Sequence, residues 1–297
     1  MTYGAHIWEE VKRLFPEHKN IIFLPYKAEM WDCMDSVYDA AAADPEVEHV
    51  DVCGLPYFIR GIDIPNVDTF PHNVTQTADS KYDIAFIHNI YEDNNLLTRV
   101  GVPIKKIREK MADHVVYIPY FVMAGLTDDY INQPGLNQVD VICVDNQDEY
   151  AKYAKYTDNP LIVCPSPKRE YNKKPAIIPD EWKKKSREHN LLVNTHINPL
   201  MINPGRLVGL CELFESYKRR DDVCVIWRPH PLSLATLQIV HPGHVPAWNA
   251  VVDYVRTEHI YDDSPDYRAA FQFSTEMLSD PSSLTELYDK RIYSIGA

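Results

Sequence analysis

The chain has 297 residues and a mass of 34.3 kDa, room for one large domain or two of ordinary size. Its 45% hydrophobic and 25% charged residues exclude a chain disordered throughout, and 30 basic against 43 acidic side chains, a net −13, argue against non-specific binding to nucleic acid. Ten glycines beside 22 prolines and 19 tyrosines rule out a glycine-repeat architecture and leave little for Gly-rich phosphate loops, so a phosphate site here is expected to be built another way.

The first fifteen residues carry Glu9, Glu10, Lys12 and Arg13 without a long apolar core, so neither a signal nor a transit peptide is expected. Apolar runs of strand length then alternate with helical stretches. Strands are expected at 20–25, 50–55, 82–88, 114–119, 139–144 and 161–164, with helices at 30–43, 105–112 and 146–156. Buried apolar strands separated by helices of about ten residues indicate a parallel sheet covered on both faces. Residues 168–188 break the pattern with eight Lys or Arg, four acids and nearby prolines. They read as a solvated linker with a basic helix, or as a patch for an anionic acceptor or a membrane surface.

The alternation then restarts. Strands are expected at 190–194, 222–227, 259–262, 276–279 and 291–295, with helices at 206–217, 248–258 and 267–274 and another starting at Pro281. The expectation is therefore an α/β protein of two Rossmann-like domains, 1–170 and 186–297, with parallel sheets facing a central cleft. The six cysteines are widely spaced, with no C-x-x-C pair, and are expected as reduced core thiols. No run approaches the roughly 18 apolar residues of a membrane span, and a cytoplasmic protein is expected.

Open parallel sheets bind ligands beyond the carboxyl ends of their strands, and four such ends are rich in polar residues. At Ser279-Asp-Pro-Ser-Ser-Leu-Thr-Glu286, Asp280 could cap a helix whose first turn holds Pro281, exposing Ser282, Ser283 and free N–H groups to phosphate. Ser283 and Glu286 equally fit a capping box that only stabilises the helix. At Val225-Ile-Trp-Arg-Pro-His-Pro-Leu232, two prolines restrict the backbone around His230, and Arg228 offers a cation. His230 could donate to a leaving phosphate oxygen; an ordinary turn is the alternative. Asn194, Thr195, His196 and Asn198 form a polar cluster after the first strand of the second half. His88 and Asn89, followed by Tyr91, Glu92 and Asp93, end a strand of the first half, and His88 could act as a base or be a satisfied structural histidine. His241 and His244 lie close in sequence, but no third metal ligand accompanies them. Walker A, G-x-G-x-x-G, G-x-S-x-G and H-E-x-x-H motifs are absent.

The order Thr195-His196, Arg228-Pro-His230-Pro, Tyr261-Asp262-Asp263 and Asp280-Pro-Ser282-Ser283-Leu-Thr-Glu-Leu-Tyr288 resembles the CDP-glycerol glycerophosphotransferases, the teichoic acid primases and polymerases. The resemblance covers most of the chain. It implies a GT-B fold with an acceptor-side first domain and a donor-binding second domain. It also implies transfer of a polyol phosphate from a CDP-activated donor to a polyol-phosphate or glycan acceptor, with release of CMP. By this resemblance Ser282 and Ser283 would bind the donor phosphate, with Arg228 and His230 near the pyrophosphate; the strand-end reading adds Asn194, Thr195, His196, Asp280 and Glu286 as substrate-binding candidates and takes His88 and His230 as the catalytic ones. No metal and no cofactor beyond the donor are implied, and the enzyme would sit in the cytoplasm or peripherally at the inner membrane face. Family members carry an H-G-T element in the first domain; this chain lacks one, and His88 is the nearest substitute. A GT-B glycosyltransferase using a UDP- or GDP-sugar, and a non-catalytic nucleotide-binding protein of the same fold, are the alternatives.

Overall fold

A computed structural model describes the chain except residues 56–63, 65–66, 72–80, 92–101, 124 and 296–297. It divides into two compact units, Met1–Lys173 and Lys174–Ala297.

The first unit is built on strands β1 (Asn20–Phe23), β2 (His49–Gly54), β3 (Phe70–Pro71), β4 (Tyr82–Ile87), β5 (Ala112–Tyr117), β6 (Val141–Val144) and β7 (Leu161–Val163). They lie in the order β3-β2-β1-β4-β5-β6-β7, every pairing parallel. Successive residues of a strand face opposite sides. Ile22 and Leu24 accordingly join Ile87, Tyr117 and Ile142 in one buried layer, while Ile21 and Phe23 join Phe86, Val116 and Val141 in the other. Each such side chain stabilises the fold by about 1.5–3 kcal/mol when removed from water.

An N-terminal helix, Tyr3–Leu14, covers the second layer through Ile7, Trp8 and Val11; Thr2 caps it by accepting the Ala5 N–H. This helix is not among the expected elements. Its apolar residues at 7, 8 and 11 carry the helical spacing. The helix lies so close to a second one, Asp35–Ala42, that a Cβ on Gly4 would stand 2.2 Å from the Ser36 carbonyl carbon.

The 168–170 segment corrects the reading of a solvated basic linker. Lys168 forms a buried ion pair with Asp32 at 2.9 Å, and Arg169 holds Asp145 through Nε and Nη2 at 3.1 and 2.8 Å. Glu170 accepts from the Tyr3 N–H at 2.5 Å, from the Ser36 hydroxyl at 3.0 Å and, more weakly, from the Gly4 N–H at 3.4 Å. Three consecutive charged residues thus fasten the last helix of the unit, Pro167–Tyr171, to its beginning.

The second unit carries β8 (His189–Thr195), β9 (Val223–Pro229), β10 (Ile260–Tyr261), β11 (Glu276–Ser279) and β12 (Arg291–Ser294) in the order β10-β9-β8-β11-β12, again all parallel. Leu191, Val193, Val225 and Trp227 pack against the Arg206–Lys218 and Val245–Glu258 helices through Leu210, Phe214, Trp248 and Val251. In each sheet the chain starts in the middle, winds to one edge, and returns to wind to the other. The direction reverses between β1 and β4 in the first unit and between β8 and β11 in the second. Such a reversal parts the connecting segments and opens a crevice beyond the strand ends.

No helix among the described residues is long and apolar enough to cross a membrane.

Candidate functional site

The β8/β11 reversal collects most of the expected residues. Asn194, on β8, pairs in register with Ser279 of β11, and its amide nitrogen donates to the hydroxyls of Ser279 at 2.8 Å and Ser282 at 3.0 Å. Asp280, only 3% exposed, places one carboxylate oxygen 2.8 Å from the His196 N–H and the other 2.5 Å from Nη2 of Arg206. Its own N–H donates to the Asn194 carbonyl. The carboxylate therefore ties three chain segments together at the floor of the crevice.

Two imidazoles stand beside it. His196 and His230 meet edge to face with ring centroids 5.0 Å apart, and the His230 N–H donates to the Thr195 carbonyl at 2.8 Å. The two rings are held by the same device: Nδ1 of His196 accepts the Asn198 N–H at 3.2 Å, and Nδ1 of His230 accepts the Leu232 N–H at 3.1 Å. A neutral ring that accepts at Nδ1 carries its proton on Nε2. Burial lowers the His196 pKa, outweighing the opposing pull of the Asp280 charge, which favours this neutral form. His196 thus carries its proton on Nε2 as a donor. Thr195 lies beneath, its hydroxyl accepting the Trp227 indole N–H at 3.1 Å.

The segment after β11 departs from expectation. No helix begins at Pro281: residues 283–287 form turns, closed by Thr285 N–H and O–H donating to the Ser282 carbonyl. Asp280, which should have capped that helix, has both oxygens engaged elsewhere, and Leu287 and Tyr288 are drawn into the core before β12 begins. There is accordingly no helix dipole for a phosphate. Ser282 and Ser283 remain half-buried at the turn, while Glu286 is exposed and forms no capping box.

Arg228 is not a free cation. It is 4% exposed, with Nη1 2.5 Å from Asp262 and Nη2 donating to the Ser264 carbonyl at 2.9 Å. Asp262 also accepts the Ser264 N–H and hydroxyl through its other oxygen. Paired through both terminal nitrogens, Arg228 holds the β9 and β10 ends together.

His88 is equally enclosed. Its ring is 1% exposed and stacks on Tyr26 at 4.6 Å, with Nε2 accepting the Tyr26 N–H at 3.2 Å across the β1/β4 reversal. Burial drives its pKa down to about 3, against a small opposing effect from its own backbone. It is a neutral imidazole closing the first unit's reversal point, with the Tyr26 N–H on its Nε2. Glu92 and Asp93 lie outside the described residues.

Among the described residues no group of three His, Cys, Asp or Glu side chains is placed to hold a metal ion. The residue that sequence reasoning missed is Arg206. It opens the Arg206–Lys218 helix and was read only as a helix start, because its partner Asp280 lies 74 positions away.

No protein-family model and no curated protein matches the chain in sequence. Solved structures do match in shape. The UDP-GlcNAc 2-epimerase of Methanocaldococcus jannaschii in complex with UDP-GlcNAc and UDP superposes with a TM-score of 0.59 at 13% identity, over 92% of this chain and 82% of that one. The S. aureus MnaA–UDP co-structure gives 0.57 at 13%, over 94% and 80%. The wall teichoic acid polymerase TagF gives 0.51 at 12%, over 97% and 76%. The chain has a GT-B fold. Within that fold, the cluster of Asn194, His196, His230, Asp280, Ser282 and Arg206 occupies the carboxyl-end crevice of the second GT-B unit.

Proposed function

We propose that this crevice binds the diphosphate of a nucleotide-activated donor. On this reading the protein is a glycerophosphotransferase-like transferase, moving a polyol phosphate from a CDP-activated donor to a polyol-phosphate or glycan acceptor. The observation that carries the reading is the convergence, at the β8/β11 reversal, of the His196 and His230 imidazoles with the Ser282 hydroxyl, which the Asn194 amide holds in place. The order of the Thr195-His196, Arg-Pro-His-Pro and Asp-Pro-Ser-Ser elements supports the glycerophosphotransferase assignment, as does the shape likeness to a wall teichoic acid polymerase.

The chemistry follows from donors fixed in advance. The acceptor hydroxyl attacks the phosphorus of the transferred group, its proton passes to a base, and the bond to the CMP oxygen breaks. Charge grows on the bridging and leaving oxygens, where pre-aimed N–H and O–H groups lower the barrier without having to reorganise. His196, protonated at Nε2, serves here as a donor; the proton from the acceptor hydroxyl goes to another group.

A second reading is a GT-B enzyme acting on a UDP-sugar, favoured by the likeness to two structures solved with UDP bound. Thermal melting with CDP-glycerol, CDP, UDP-GlcNAc and UDP separates the two. A ligand at ~100 times its dissociation constant adds about 2.7 kcal/mol. Stabilisation by the cytidine compounds, abolished in an Asn194→Ala/Ser282→Ala double variant, is expected. Stabilisation by the uridine compounds alone transfers the assignment to the second reading. Binding of CDP-glycerol without any transfer to a polyol-phosphate acceptor would point to a non-catalytic nucleotide-binding protein.

A further inference from the structure

Resting on the reading of a diphosphate site, we infer that Arg206 is the cation that holds the diphosphate and that Asp280 is the residue that positions it. Arg228, Arg268 and Arg206 stand at or after strand ends of the second unit and are held in different ways. Arg228 is enclosed by Asp262 and Ser264. Arg268 is clamped to Asp266 through Nε and Nη2 at 2.9 and 2.7 Å. Arg206 is held differently. One nitrogen, Nη2, meets Asp280, and no other hydrogen bond of its guanidinium is made among the described residues. A guanidinium carries five N–H groups in a rigid fork suited to phosphate oxygens, so most of its donors remain unengaged. Its side chain is 19% exposed, against 5% for Arg228, which keeps it within reach of solvent and ligand.

Asp280 gives this arginine its place. One oxygen fixes the guanidinium and the other fixes the backbone of His196, so a single buried carboxylate sets the cation and the imidazole-bearing loop in relation to each other. The arrangement also answers an electrostatic need. A diphosphate entering a chain of net charge −13 requires local positive charge, and the neutral His196 ring supplies a donor without charge. Arg206 supplies it.

The test uses the full chain and two kinds of probe, inorganic pyrophosphate and the nucleoside diphosphates CDP and UDP, with affinities measured by calorimetry. Arg206→Gln is expected to weaken pyrophosphate and nucleoside diphosphate binding about 10- to 100-fold, the range of a lost charge-assisted contact. Arg206→Lys is expected to recover part of the loss, since it keeps the charge and loses the fork. Because Arg206→Gln also strands a buried carboxylate, the double variant Arg206→Gln/Asp280→Asn is the decisive protein. An amide pair replaces the ion pair, so its melting temperature should return toward that of the parent while its affinity stays low. If the double variant regains both stability and affinity, Arg206 is only a structural brace and the inference is overturned. If the parent binds pyrophosphate through Arg206 but neither CDP nor UDP, the inference stands and the nucleotide-donor reading fails. If the parent binds none of the probes, both fall.

Discussion

A buried histidine leaves a signature in the pH dependence of stability. His88 takes up a proton in the folded chain only near pH 3, whereas in the unfolded chain it does so near the ordinary value of 6.5. Between these values the unfolded state binds the extra proton, so stability falls as pH falls through that window. Going from pH 7 to pH 5, this one group should cost about 2 kcal/mol. Urea denaturation of the parent and of His88→Gln at the two pH values checks this: the variant's loss should be smaller by about that amount. Equal losses would mean that the ring is not held neutral in the fold. The Arg228–Asp262 pair makes a second prediction. Asp262→Ala strands a buried guanidinium and should cost about 3–5 kcal/mol, as seen in the melting of the second unit, with Asp262→Asn losing less. The sequence exposed that His88, Arg228 and His230 end strands, since the strands themselves are apolar runs. It did not reveal that two of the three are enclosed, because Tyr26 and Asp262 lie 62 and 34 positions from their partners.

At the level of the elements, regular pieces were legible and their junctions less so. The strands at 20–25, 82–88, 139–144 and 222–227 all formed, because continuous Ile, Val and Phe runs suit a sheet buried on both faces. The helix expected at Pro281 did not form, although Asp-Pro-Ser-Ser is a fair helix start. Local capping signals lose when a distant Arg206 and the His196 amide claim the capping carboxylate. The N-terminal helix gives the sharpest test at this scale. Gly4→Ala puts a methyl group into the Ser36 backbone, and overpacking of this kind typically costs about 1–3 kcal/mol. A lowered urea midpoint is expected for Gly4→Ala, with Gly209→Ala as a control, since a Cβ there meets nothing within 4 Å. Equal midpoints for Gly4→Ala and the parent would show that the two helices do not cross this closely.

For the molecule as a whole, alternating strands and helices indicated parallel sheets, but neither strand order nor the position of a reversal is written in local pattern. Both depend on which strand each helix returns to. The charge ledger also changed meaning. Residues 168–188 hold a net +4 in sequence, yet Lys168 and Arg169 are paired inside the first unit. The segment therefore offers less to an anionic surface than its composition suggests, and sedimentation with phosphatidylserine vesicles at 0.15 M salt should leave the protein in the supernatant. Salt-sensitive pelleting would contradict this. One buried contact has a practical side. The Trp227 indole is fully enclosed, and its N–H ends on the hydroxyl of Thr195, the residue that carries the chain into His196. A ligand that shifts the Thr195–His196 turn should therefore change the emission of Trp227, and a titration followed by tryptophan fluorescence, with Trp227→Phe as the comparison, checks this in an unlabelled protein.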